Sequence, residues 1–211
     1  MRGGTEEKSG ARRVIMMQIA PGLDTTRWQG LRLDDPQSAD WDIAVGVLES
    51  RIRGRYLDPI DFLIAAEETK PPTERRFGFT ILAVDCLVIE TLEAFIEGLE
   101  DTEGKSRATF CKFLRSRPLF AAEFTTEDLA EQFYYQFRCG ILHQAEVGGD
   151  SRVWSIGPLL QFDDGQIIVN RTKFHEVLKA EFETYLTELR DKKNTVLRTN
   201  FRTKMDFISR I

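Results

Sequence analysis

Phe77-Gly-Phe-Thr-Ile-Leu-Ala-Val-Asp85-Cys-Leu-Val-Ile-Glu90-Thr-Leu-Glu-Ala-Phe95-Ile-Glu97, followed by Gly98, carries the longest helical pattern in the chain. Phe79, Ile81, Leu82, Val84, Leu87, Val88 and Ile89 leave it apolar nearly all round, and a helix of that kind belongs at the centre of a core. Pro71-Pro72 breaks the chain before it, Thr73 opens the pattern and Gly98 stops it. The stretch does not qualify as a membrane span. Asp85 interrupts it, Glu90 follows it, and nowhere does the chain hold about 18 apolar residues in succession.

Working outward, other segments repeat the helical signal. Trp41, Val45, Leu48 and Ile52 follow the polar start Ser38-Ala-Asp at helical spacing. Asp58-Pro59 restarts the chain as N-cap and first helical residue, with Phe62, Leu63 and Ala66 as a short apolar face. Residues 106–117 turn Phe110, Phe113 and Leu114 inward and stop at Pro118. Thr126 opens a further helix, with Glu127 and Asp128 favourably placed in its first turn, running through Phe133, Tyr134, Phe137, Ile141 and His143. Residues 172–193 align Phe174, Val177, Leu178, Phe182, Tyr185, Leu186 and Leu189. Between these last two, residues 152–156, 159–162 and 166–169 are strand-like, and Asp163-Asp164-Gly165 is a hairpin turn. The fold class expected is all-α, a helical bundle with a small β-hairpin inserted at about 152–170. Its boundaries are a flexible tail and loop over 1–37, a helical domain over 38–193 and a basic amphipathic segment over 194–211.

The chain has 211 residues, 42% hydrophobic and 30% charged, with a mean hydropathy of -0.31, the balance of a globular domain with a real core. Val14 to Ala20 is a short apolar run behind Arg12 and Arg13. Glu6 and Glu7 precede it and no small-residue cleavage pattern follows, so it reads as a docking segment and not as a secretory signal. Cys86, Cys111 and Cys139 are odd in number and widely spaced, which points to a reducing cytoplasm. Net charge is -5 and uneven. Residues 38–131 hold 11 basic and 19 acidic side chains (-8), whereas 190–211 hold 7 basic and 2 acidic (+5). Arg198, Arg202 and Lys204 in that basic end are the candidate nucleic-acid contacts.

Of the two histidines, His175 lies on the amphipathic face of 172–193 and reads as a surface or packing residue. His143 closes Arg138-Cys-Gly-Ile-Leu-His143. Five residues of ideal helix leave the two side chains about 140° apart. A shared ligand therefore requires the helix to bend near Gly140 or a second chain to complete the site. Arg138 could grip a phosphate bidentately and His143 could move a proton near neutral pH, chemistry that suits phosphodiester cleavage without a metal. Asp85 and Glu90 either hold Arg138 in place or face solvent and other arginines. Cys139 and His143 share a helical face, but no second pair of ligands accompanies them.

Arg138 to His143, late in a helix behind a long apolar helix, resembles the Arg-x4-6-His motif of HEPN domains, the higher-eukaryote and prokaryote nucleotide-binding superfamily. The resemblance spans about residues 40–190 and includes the run from Ile89 to Phe95. It implies a helical bundle that pairs as a homodimer with the motif at the seam. It also implies a metal-independent endoribonuclease of a toxin or phage-defence system, without cofactor, with Arg138 and His143 catalytic and Asp85, Glu90 and Cys139 supporting them. An RNA substrate and an antitoxin or regulatory partner follow from the same likeness. Other members are non-catalytic binding or scaffold modules, in which Arg138 and His143 would be structural. Two positions depart from the pattern: Cys139 stands where a polar residue is usual, and Ala145 where some toxins carry a modifiable tyrosine.

Overall fold

The computed structural model describes residues 18–163 and 165–210; the first 17 residues of the tail and loop expected over 1–37, with Val14 to Met17 of the docking segment, and Asp164 of the hairpin turn lie outside them. The architecture is mainly helical, with two small sheets. Strands β1 (Gln18–Ala20) and β2 (Leu23–Asp24) form a short antiparallel ladder that leads into α1 (Thr25–Gln29). Then come α2 (Asp40–Ile52), a π-helical turn over Arg53–Leu57 and α3 (Asp58–Glu68). The central α4 (Gly78–Glu97) is followed by α5 (Ser106–Ser116), α6 (Pro118–Ala121) and α7 (Glu127–Phe133). A second π-helical turn, Tyr134–Cys139, joins α7 to α8 (Gly140–Gln144). Strands β3 (Arg152–Trp154), β4 (Leu160–Asp163) and β5 (Gln166–Asn170) precede α9 (Arg171–Arg190) and α10 (Thr195–Ile208). No described helix is long and apolar enough to cross a membrane.

Helix α4 packs against α5, α9 and α10, and Ile81, Leu82, Val88, Ile89, Leu92 and Phe95 are buried. It begins at Gly78, five residues later than the pattern from Thr73 suggests, because Pro72–Glu74 form a 3-10 turn and Arg75 is extended. It ends at Gly98, whose φ of +70° closes a left-handed cap. A Cβ at Gly98 would lie 2.9 Å from the Asn200 Cα, so this glycine also lets α10 lie directly on α4.

Two aromatic groups fill the core. Phe133 stacks on Phe137 and Phe174, with Phe110, Phe113, Phe120 and Phe124 around them. Phe201 of α10 meets Trp28, Trp41 and Phe95. The second group corrects the expectation of a loop up to residue 37. Ile19, Ala20, Leu23, Trp28 and Leu33 are buried, and the Trp28 indole donates to Asp206 at 2.8 Å. The apolar face read on α3 is also corrected: Phe62 is 74% exposed, and Ile60 and Glu67 face inward instead.

The hairpin forms as expected, with Leu160 opposite Val169 and Phe162 opposite Ile167. Strand β3 pairs in parallel with the other side of β5, giving the order β3-β5-β4. Asn170 ends β5 and caps α9, its side chain accepting from the Thr172 and Lys173 amides. The sheet and the last long helix are thereby joined without a loop.

Candidate functional site

The helix carrying the Arg-x4-His motif is distorted just ahead of Gly140. Residues 134–139 form a π-helical turn, a local insertion found often at functional sites. Gly140 follows, and a Cβ there would sit 2.5 Å from the Glu146 carbonyl oxygen. Close approach of the 145–148 turn therefore explains a glycine that otherwise weakens a helix by about 1 kcal/mol.

Arg138 is held on one edge. Its Nη2 donates to Glu90 Oε2 at 3.0 Å, and its guanidinium lies 5.5 Å from the Tyr134 ring centre. Glu90 also accepts from Thr102 Oγ1 at 2.6 Å and Ser106 Oγ at 2.8 Å. Burial works against the charge of Arg138, but the attraction of Glu90 and Tyr134 outweighs it and the guanidinium keeps its proton more firmly than usual. Arg138 borders a depression shared with Leu87, Thr91, Leu142 and Lys204, with Glu90, Glu100 and Asp101 on its rim.

His143 lines a different depression, with Tyr135, Cys139, Gly140, Glu146 and Val147. It is exposed, and no hydrogen bond or ion pair engages it among the described residues. The π-helical turn thus does not bring Arg138 and His143 to one concavity within a single chain. Cys139 sits half-buried next to Tyr134, whose hydroxyl lies 3.2 Å from Ser106 Oγ. Leu142 within the motif, Tyr135 just before it and Leu87 of α4 are exposed apolar side chains.

Of the two carboxylates expected to support Arg138, only Glu90 does so. Asp85 is fully buried and bonds His175 instead, Oδ1 to Nδ1 at 2.7 Å. Burial raises the Asp85 carboxyl above its ordinary range, with His175 opposing the shift. On its other side, His175 Nε2 stands 3.4 Å from Asp61, which also binds Lys179. His175 is therefore a core residue between two carboxylates, not a plain packing residue. Positions 175, 178, 182, 185 and 189 share one inward stripe, and that periodicity was the available signal.

The three basic residues expected to contact nucleic acid are each engaged within the fold. Arg198 is buried, and its guanidinium caps the end of α9 by donating to the carbonyls of Leu189 at 2.8 Å, Arg190 at 3.1 Å and Pro36 at 2.9 Å. It also lies 4.5 Å from the Trp41 ring centre. This corrects its assignment as a nucleic-acid contact: the carbonyls of a helix end hold it inside. Arg202 is paired with Asp34 and Asp206, and Lys204 donates to the Glu100 carbonyl at 2.6 Å. Of the three, only Lys204 borders the Arg138 depression.

Among the described residues, no group of three or more histidine, cysteine or acidic side chains is placed to hold a metal ion. Comparison with known family models, curated proteins and solved structures finds no match to this chain.

Proposed function

We propose that two copies of this chain meet along the face carrying Leu87, Leu142 and Tyr135, and that the pair is a HEPN-type endoribonuclease that needs no metal. The reading rests on one observation. Arg138 is fixed by Glu90 on one edge in a depression walled by Leu87 and Leu142, while His143 stands exposed and unbonded on the following turn. A second copy is what would carry a histidine to each arginine. Arg138 then holds the scissile phosphate and offsets the charge that builds on it. The partner's His143 takes the proton of a ribose 2′-hydroxyl as that oxygen attacks phosphorus. The 5′-oxygen leaves with a proton from that same imidazolium or from water, giving a 2′,3′-cyclic phosphate and a 5′-hydroxyl.

A cleavage assay on mixed-sequence RNA in EDTA tests this, run beside sedimentation to establish the oligomeric state. Cyclic-phosphate ends from the wild-type dimer, with His143→Ala about 10²- to 10⁴-fold slower, are the expected result.

A second reading has its own support. Glu90, Glu100 and Asp101 outnumber Arg138 and Lys204 around the depression, a balance that repels an RNA backbone, and Glu90 is satisfied as a three-way clasp. In that case the chain is a non-catalytic binding or scaffold module and Arg138 is structural. A folded, dimeric wild type that leaves RNA intact selects this alternative.

A further inference from the structure

An unassigned cavity lies where the start of α4 meets β3. It has a volume of about 340 Å³, within the range of small-molecule sites. Its apolar wall is Val153, Trp154 and Ile156, and Trp154 and Ile156 are 41% and 49% exposed although they are bulky hydrophobic residues. Its polar wall is Thr73, Arg75 and Arg171.

Neither arginine is fully satisfied by the protein. Arg171 is 2% exposed, and its Nη2 donates to Glu67 Oε2 at 2.9 Å, but its buried Nη1 has no partner. Buried polar atoms are nearly always bonded, so an orphan on an arginine that lines a cavity suggests a missing acceptor. Arg75 is positioned by three carbonyls, those of Lys70 at 3.0 Å, Glu68 at 3.2 Å and Ser155 at 3.4 Å. No carboxylate pairs with it among the described residues. The two guanidiniums lie near enough for Arg75 to oppose the charge of Arg171. Glu67 is fully occupied, because it also accepts from the amides of Arg76 and Phe77 ahead of α4.

Two arginines against one glutamate leave a net charge of +1 at the polar wall. That matches a single negative charge better than a phosphate dianion, and the opposite wall suits an aromatic or branched aliphatic body. We infer that this cavity binds a monocarboxylate with an apolar body, its carboxylate on Arg75 and Arg171 and its body against Val153, Trp154 and Ile156. The inference is independent of the nuclease reading, since none of these residues borders the Arg138 or His143 depressions.

Calorimetric titration of the full chain with phenylacetate, phenylacetamide and phenyl phosphate tests it. Phenylacetate is expected to bind saturably and the amide at least tenfold more weakly, with phenyl phosphate no tighter than phenylacetate. Arg75→Gln should weaken phenylacetate tenfold or more while leaving the thermal midpoint near that of the wild type. It is the informative variant because Arg171→Gln would strand Glu67 in the core and could unfold the chain. Trp28 and Trp41 are buried, so the wild-type fluorescence change on binding should vanish in Trp154→Phe. No saturable heat with phenylacetate, equal binding of the amide, tighter binding of phenyl phosphate or full affinity in Arg75→Gln would overturn the inference. Acetyl-glycyl-phenylalanine separates the two sources of such a group. Binding tighter than phenylacetate marks a peptide C-terminus, and weaker binding marks a free acid.

Discussion

Helix α4 is fastened by two glutamate–arginine clasps that share a chemistry and differ in their surroundings. Ahead of its start, Glu67 and Arg171 meet at 2.9 Å with neither side chain more than 2% exposed. In its second half, Glu90 and Arg138 meet at 3.0 Å with 14% and 19% of their side chains exposed. The first clasp is sealed, so its ionic pairing is obligatory: losing one partner strands the other in the core. The second lets water reach the arginine and leaves part of the guanidinium free for another partner. A small difference in burial therefore separates a pair that the core cannot lose from a pair that water can replace.

The largest expected effect tests that contrast directly. Glu67→Gln should cost about 3–5 kcal/mol in urea denaturation, against about 1 kcal/mol for Glu90→Gln. Equal losses would break the comparison. Acid titration adds the sign. Burial pushes the Glu67 carboxyl up, but the two amide donors and Arg171 outweigh it, so its folded pKa lies below the ordinary glutamate value of about 4.5. Its contribution is thus fully present above the ordinary carboxylate range and is lost as pH falls through the depressed value. Denaturation midpoints of the wild type should show this acid loss, and those of Glu67→Gln should lack it.

Gly140→Ala comes next, at about 1–3 kcal/mol, because the new methyl group would strike the Glu146 carbonyl beside the second clasp. An unchanged midpoint would mean that the turn at 145–148 yields easily. Glu93, one turn after Glu90, is a useful third case because it is 1% exposed and has no hydrogen bond to either oxygen. Burial raises its pKa to about 7, with Lys112 the main opposing influence. The folded state therefore holds a proton that the unfolded chain releases near 4.5, and stability declines as pH rises from there through 7. Glu93→Gln should stabilise the protein at pH 8 by about 1–2 kcal/mol and have little effect at pH 4. A gain equal at both values would show that charge is not the cause. The smallest effect belongs to His143→Ala, within about 0.5 kcal/mol of wild type, since His143 is exposed and unbonded.

These contrasts show where the sequence could be read and where it could not. Periodicity placed α2, α4, α5, α7 and α9, the Asp-Gly turn placed the hairpin, and a charged residue inside an apolar helix marked Asp85 as needing a partner. Local patterns carry those signals. The identity of the partner is not local: Asp85 meets His175 across 90 positions and Glu67 meets Arg171 across 104. Arg198 illustrates the opposite error. A run of basic residues looks like a surface until a helix end, which depends on tertiary packing, draws one of them inward. Trp28 and its neighbours were missed because short strands and a five-residue helix are too brief for periodicity to register. The arithmetic of the motif offered a bend near Gly140 or a second chain as alternatives; a π-helical turn is present there, yet it leaves Arg138 and His143 in separate depressions.

The cluster of Trp28, Trp41, Phe95 and Phe201 also sets the order in which the protein can be completed. Its members come from both extremes of the described chain, and Arg198 closes α9 only once α10 is in place. During synthesis, the apolar surface of α2 and α4 must wait until the segment around Phe201 has left the ribosome. Contacts of such long sequence separation form slowly, because a large loop must close before they contribute. In that interval the nascent chain exposes tryptophan and phenylalanine, surface that favours aggregation until α10 packs.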